Sequence, residues 1–112
     1  MPQSDLDVIR GTLDLLILKT LSWGPMHGLA VLRWIEQTSR DQLTLEEGAL
    51  YPALHRLEQK KWLDAEWGIT EQNRKAKYYR LTALGRKQLT AEVSRWTRYT
   101  KVVGYILEAE AR

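Results

Sequence analysis

The stretch of sequence that decides the fold covers residues 48–81 and reads GALYPALHRLEQKKWLDAEWGITEQNRKAKYYRL. Its first part repeats apolar residues at steps of four and three, which predicts a helix over about 48–61. From residue 62 the period changes to two, which predicts a strand. A polar stretch at 70–75 reads as a loop, and the alternation resumes over 77–81. The expected unit is therefore a helix followed by a β-hairpin.

The predicted helix over 48–61 has two unlike faces. Leu50, Leu54 and Leu57 form an apolar stripe that would hold the helix against a core. Pro52 is expected in the first turn, where proline is tolerated. The opposite face carries polar, aromatic and cationic side chains: Tyr51, Pro52, His55, Arg56, Gln59 and Lys60. Base reading needs side chains that donate, accept or stack, although an ordinary solvated face has a similar composition.

The predicted hairpin has a half-buried face and a basic tip. Its first strand would bury alternate residues, which are Leu63, Ala65, Trp67 and Ile69. Arg74, Lys75 and Lys77 supply the cations that phosphate contact requires. Such residues in a loop are often just a solvated surface. The prediction that these cations contact DNA therefore depends on the predicted helix that precedes the hairpin.

Two helices are predicted upstream of this unit. The first would be capped by Ser4 or Asp5 and run through Leu6 and Ile9 to about Leu21. The sequence Trp23-Gly24-Pro25 would end it. The second is expected over about 27–39, and residues 43–45 are expected to add an edge strand to a small sheet.

A long helix is predicted to follow the hairpin, capped by Thr82 and ending near residue 109. Its apolar residues follow a heptad-like seam, formed by Leu89, Val93, Trp96, Thr100, Val103 and Leu107. A second row widens it: Tyr99, Val102 and Ile106. Because so much apolar surface exceeds what a small domain can cover, we expect a homodimer, with Leu6 and Ile9 completing the interface.

Composition narrows the functional classes. The chain has 112 residues, 28% of them charged, a net charge of +3 and no cysteine. The first five residues lack a secretion-signal pattern, and no apolar run is long enough to span a bilayer, so a cytoplasmic location is expected. No nucleophile constellation, phosphate loop or metal-ligand cluster is evident, which argues against an enzyme, a cofactor or a metal. Asp14, on the first helix, is interpreted as a structural carboxylate.

Three helices followed by a basic hairpin are typical of a winged helix-turn-helix. We therefore predict a mainly α (α+β) fold of this type with a long C-terminal dimerisation helix. Residues 1–81 would form the DNA-binding domain and residues 82–112 the dimerisation helix, as one compact unit.

The sequence also resembles the PadR family, whose name comes from the phenolic-acid-decarboxylase repressor. The resemblance covers nearly the whole chain and lies in four segments, GTLDLLIL at 11–18, GPMHG at 24–28, EEGALYPALHRLE at 46–58 and RKAKYYRLT at 74–82. It implies a winged-helix dimer that usually represses transcription, with the last helix supplying most of the dimer contact.

By position, the resemblance matches Tyr51, Pro52, His55 and Arg56 to the recognition-helix motif, and it matches the three hairpin cations to the wing. The chain departs from many members at two places: Leu29-Ala30 replaces an aromatic residue and Gly, and Ala49 replaces Ser. The single C-terminal helix resembles the short-tailed members.

The predicted function is sequence-specific DNA binding by a homodimer at an inverted repeat, with half-site centres about 34–36 Å apart. The alternative is a winged helix that binds another protein. Trp96 and Tyr99 are expected to fill the dimer interface; the alternative is that they line a pocket for a planar aromatic effector. No cofactor is expected.

Overall fold

The computed structural model describes residues 6–7 and 11–110. The elements follow in the order β1 (Leu6–Asp7), α1 (Leu13–Leu21), β2 (Met26–His27), α2 (Gly28–Thr38), β3 (Leu43–Thr44), α3 (Glu47–Gln59), β4 (Leu63–Ile69), β5 (Lys75–Leu81) and α4 (Ala83–Glu108). The predicted α+β class and the long final helix are confirmed. The described part of the chain includes no helix with the length and hydropathy needed to cross a bilayer.

The core forms where α1, α2, α3 and the inner face of the hairpin meet. The predicted stripe of Leu50, Leu54 and Leu57 is fully buried there. Helices α1 and α2 contribute the side chains that pack against it: Ile17, Leu18, Leu21, Val31, Leu32 and Ile35. These residues recur at steps of three and four, as expected for the inward face of a helix. The opposite face of α2 is exposed at Arg33 and Gln37, whereas in α1 only Lys19 is exposed.

The prediction for the N-terminal segment is wrong. Residues 6–7 form strand β1, which pairs in parallel with β3 through the partners Leu6↔Leu43 and Asp7↔Thr44. The first helix begins only at Leu13, and Gly11 before it has a φ of +91°. Such an angle suits glycine and breaks a helix at that point. Ile9, predicted for the dimer interface, lies outside the described residues, and for Leu6 only the backbone pairing is described.

Pro52 is also placed differently from the prediction. Helix α3 begins at Glu47, so Pro52 is its sixth residue rather than part of its first turn. Proline cannot donate to the carbonyl four residues earlier, which here belongs to Gly48. Both residues are exposed, so water can reach that carbonyl.

The hairpin belongs to a three-stranded sheet with the order β2-β5-β4. Strands β4 and β5 are antiparallel and pair from Leu63↔Leu81 at the base to Ile69↔Lys75 beside the loop. The alternation with a period of two is confirmed, but not all of the inward-facing residues of β4 are buried. Leu63 is buried in the core, whereas Trp67 and Ile69 are each 62% exposed. The prediction of a half-buried strand is therefore correct only for the base of the hairpin.

Helix α4 begins as predicted. The Thr82 hydroxyl accepts a hydrogen bond from the Gly85 N–H at 2.9 Å and donates to the Lys61 carbonyl at 2.7 Å. An ideal Cβ on Gly85 would overlap the Trp62 carbonyl oxygen. The start of α4 is thus fixed directly against the segment that joins α3 to β4.

Candidate nucleic-acid interface

Helix α3 presents one outward stripe. At 100° per residue, the side that faces away from the buried leucines is occupied by Gly48, Pro52, His55 and Gln59. All four are exposed. The imidazole and the amide can donate and accept hydrogen bonds, while the glycine and the proline keep the first half of the stripe low. A surface of this shape fits against the edges of bases in a groove.

One flank of this stripe turns toward the hairpin. The ring of Tyr51 lies against Gly28 at the start of α2. Near the other end of α3, Glu58 Oε1 lies 2.9 Å from Lys77 Nζ on β5. This hydrogen bond is the main reason that the pKa of Lys77 is raised, although partial burial opposes it. Lys77 therefore joins α3 to the hairpin as well as adding positive charge.

The other flank turns toward α1. Arg56 forms an ion pair with Asp14, in which a guanidinium Nη2 meets a carboxylate oxygen. The Arg56 side chain is 48% exposed and that of Asp14 is 25% exposed, so the guanidinium keeps other N–H donors free for solvent or a ligand. The interpretation of Asp14 as a structural carboxylate did not identify this partner, which is 42 residues away in sequence.

The wing carries the remaining predicted cations. Arg74 and Lys75 are exposed and, within the described residues, neither takes part in an ion pair. Lys75 Nζ lies 5.4 Å from the centre of the Trp67 ring, a cation–π distance. In a similar contact, Lys60 Nζ lies 4.6 Å from the Trp62 ring. Free cations at the wing tip can neutralise phosphates without first breaking a salt bridge.

An open groove of about 1150 Å³ separates α2 from the wing. Tyr51 and Trp67 both line it, together with Arg33, Arg74 and Lys75. Its lining thus combines aromatic and cationic side chains with apolar ones, such as Met26 and Leu29, and with the acidic Glu71. No group of three or more potential metal-ligating side chains occurs among the described residues.

Beyond its first turns, α4 is largely uncovered. Tyr99, Val102 and Ile106 of the predicted second row are 62%, 51% and 71% exposed. In the seam, Leu107 is 79% exposed, whereas Trp96 is half-buried. The centres of the Trp96 and Tyr99 rings are 6.3 Å apart and their planes are tilted by 33°.

Comparisons with known proteins agree with this geometry. Residues 17–91 match the model of the PadR-like family of transcriptional regulators. An uncharacterized protein of Lysinibacillus sphaericus is 30% identical over 102 residues, which are 91% of this chain and 94% of that protein.

Solved structures give the same result. A transcriptional regulator from Clostridium thermocellum superposes with a TM-score of 0.82 and 28% identity, over 89% of this chain and 97% of that one. A PadR family transcriptional regulator from Eggerthella lenta gives 0.79 and 32%, over 90% and 86% of the two chains. This chain therefore belongs to the PadR-like family of transcriptional regulators and is a DNA-binding regulator rather than an enzyme.

Proposed function

We propose that this regulator is a repressor that binds an inverted-repeat operator as a homodimer. The outward stripe of α3 carries the proposal: His55 and Gln59 are exposed, and Tyr51 and Arg56 are held in place on either side of them. Such a stripe reads bases in the major groove, while Arg74 and Lys75 on the wing neutralise phosphates. Pro52, Lys60 and Lys77 complete the proposed contact surface.

The uncovered apolar row on α4 supports the homodimer. Side chains such as Ile106 at 71% exposure and Tyr99 at 62% are costly to leave in water. We therefore propose residues 82–112 as the dimerisation helix and residues 1–81 as the DNA-binding domain. Leu89, Val93, Trp96, Val103 and Leu107 form the proposed seam. A twofold dimer would prefer half-site centres about 34–36 Å apart.

Light scattering at micromolar concentration tests the dimer. The expected mass is that of two chains, and Ile106→Asp is expected to reduce it to one chain with its folding preserved, because Ile106 has little contact within its own chain. Lys101→Asp, on the opposite face of α4, is the control and should remain dimeric. A single-chain mass for the wild type would contradict the proposal.

DNA binding is tested by titrating the protein against the DNA upstream of its own gene and against an unrelated duplex, at two salt concentrations. Tighter binding to the upstream DNA that survives the higher salt is expected for a sequence-specific regulator. Gln59→Ala should reduce the preference between the two duplexes, whereas Lys101→Ala should leave it unchanged. Absence of binding to either duplex at low salt would instead favour a protein partner.

Release by a small planar aromatic effector, bound in a pocket lined by Trp96 and Tyr99, is the alternative to the expected role of these two side chains, which is to fill the dimer interface. It is based on the Trp96–Tyr99 pair, whose rings lie close together on the proposed dimer face. Under this alternative, titration of planar aromatic compounds, followed by tryptophan fluorescence, is expected to change the signal of the wild type and not that of Trp96→Leu. No change with any compound would mean that the two rings only fill the interface.

A DNA regulator works where the DNA lies, so the proposed location is the cytoplasm.

A further inference from the structure

The wing carries an apolar surface that the core does not cover. Trp67 and Ile69 continue the buried face of β4 beyond the end of the core, and each is 62% exposed. In the strand register they lie opposite Lys77 and Lys75 of β5. These four residues share one side of the hairpin, and we call this surface the wing face.

The wing face has the character of a contact surface rather than of an unfinished core. Its apolar and cationic side chains stand in facing pairs across the two strands, and Lys75 Nζ also approaches the ring of Trp67. A second protein chain would favour fewer charges at such a site. The backbone of DNA offers the complementary pattern, because apolar sugar edges alternate with phosphates.

The wing face is also continuous with the recognition helix. Lys77 is bound to Glu58 of α3 at 2.9 Å, and Trp67 lines the same groove as Tyr51. A duplex that contacts the outward stripe of α3 therefore passes beside this surface.

We propose that the wing face packs against the sugar–phosphate backbone of the DNA beside each half-site, with Trp67 and Ile69 on the sugars and Lys75 on a phosphate. This inference rests on the function proposed above and adds an apolar contact to it. Contacts to sugars carry no base information. Trp67 therefore contributes affinity without contributing sequence preference.

Trp67→Ala tests this inference, and the chain offers a matched control. Trp23 is 68% exposed and also has a lysine, Lys19, with its Nζ 5.4 Å from the ring centre. Trp23 precedes β2, whose pairing with β5 leads away from Trp23 toward the hairpin loop. Trp23→Ala therefore removes an equally exposed ring at a distance from the wing tip.

The measurement is the dissociation constant for the operator and for an unrelated duplex over a range of salt. Trp67→Ala is expected to weaken binding to both duplexes about tenfold, a loss within the range for removal of one apolar contact. The slope of log K against log salt should stay unchanged. Lys75→Ala should reduce that slope by about one, because one phosphate contact is lost. Trp23→Ala should change neither quantity.

Several results would overturn the inference. Trp67→Ala could bind both duplexes like the wild type, or it could lose affinity for the operator alone. It could also have the mass of a single chain, and this last result would show that a second chain covers the wing face. Melting temperatures control for folding, and Ile69→Ser provides a second variant at the same surface. Failure of the wild type to bind DNA would reject the proposed function instead, so the two failures are distinguishable.

Discussion

The ring of Tyr51 occupies the space that a side chain on Gly28 would need. An ideal Cβ on Gly28 would lie 2.5 Å from Tyr51 Cε1 and 3.1 Å from the Tyr51 hydroxyl oxygen. Gly28 is the first residue of α2, so this contact places the first turn of α2 against the second turn of α3. The absence of a side chain at position 28 thereby leaves the space that the Tyr51 ring of α3 occupies.

Gly28→Ala is therefore expected to weaken operator binding by about tenfold or more, while the free energy of unfolding changes by no more than about 1 kcal/mol. The tyrosine is 43% exposed and can swing away, which relieves the clash but moves the ring. In a Tyr51→Ala background the same substitution should have no further effect on binding. An equal loss in both backgrounds would show that Gly28 acts independently of Tyr51.

Gly85→Ala is expected to act on stability instead. Its Cβ would meet the Trp62 carbonyl oxygen, a backbone atom that cannot swing away, and overpacking of this kind costs about 1–3 kcal/mol. Gly48→Ala is the matched control, because Gly48 is also helical and an added Cβ would meet nothing within 4 Å. That substitution should stabilise the chain by up to about 1 kcal/mol. Urea unfolding without DNA measures both.

Asp14→Asn is expected to weaken operator binding, because Arg56 loses the carboxylate that orients it. With Arg56→Gln already present, it should have no additional effect, so a double-mutant cycle should give a coupling of about 0.5–3 kcal/mol. Asp64→Asn removes the same charge from the exposed Arg80–Asp64 pair, whose atoms are 3.5 Å apart. Tighter binding by both aspartate variants would show only a general effect of charge.

The Glu58–Lys77 pair should stabilise the fold modestly and with a defined pH dependence. Because the pKa of Lys77 is raised, its contribution is complete below the ordinary lysine value of about 10.4 and is lost as the pH rises through the raised pKa. Both side chains are about one-third exposed, so Glu58→Gln should cost only about 0.2–1 kcal/mol near neutral pH. This difference in the free energy of unfolding between wild type and variant should shrink as the pH rises through the raised pKa of Lys77.

The pKa of Tyr79 is also raised, so the titration of its hydroxyl needs a control. Burial raises the pKa of its hydroxyl, and Lys77 opposes that effect. The chain with Glu58 and the Glu58→Gln variant are therefore compared in a Tyr79→Phe background. Chemical unfolding gives the free energy of unfolding of each, from neutral pH to pH values above the raised pKa of Lys77. A difference that stays constant across this range would mean that the ion pair contributes nothing to stability.

Features encoded locally were predictable from the sequence. The leucine stripe of α3 repeats at the helical period, and Thr82 precedes α4 as an N-cap, so neighbouring residues alone specify both. The N-terminal segment was mispredicted because its structure is not local. Strand β1 pairs with β3, which lies more than thirty residues away in the sequence. The three-residue spacing of Leu6 and Ile9 fits a helix pattern, but spacing alone does not reveal this long-range pairing.

The site shows the same division. Period-two alternation correctly put Trp67 and Ile69 on the side of Leu63, but alternation does not show how far a core extends along a strand. The Asp14–Arg56 pair joins two helices and leaves no local pattern. Tyr51 was recognised as a candidate, whereas its dependence on Gly28 follows only from the packing of α2 on α3.

The junction at Thr82 and Gly85 has a mechanical consequence. Helix α4 has 26 residues and is about 39 Å long. Its first part is held by this joint, where Gly85 lies against the Trp62 carbonyl, and by packing against α1. A rotation of about 5° at this joint would displace the far end by about 3 Å, close to the rise of one base pair. In the proposed homodimer, the two DNA-binding domains are connected through their α4 helices. The stiffness of the Thr82–Gly85 junction therefore determines how much variation in half-site spacing the dimer tolerates.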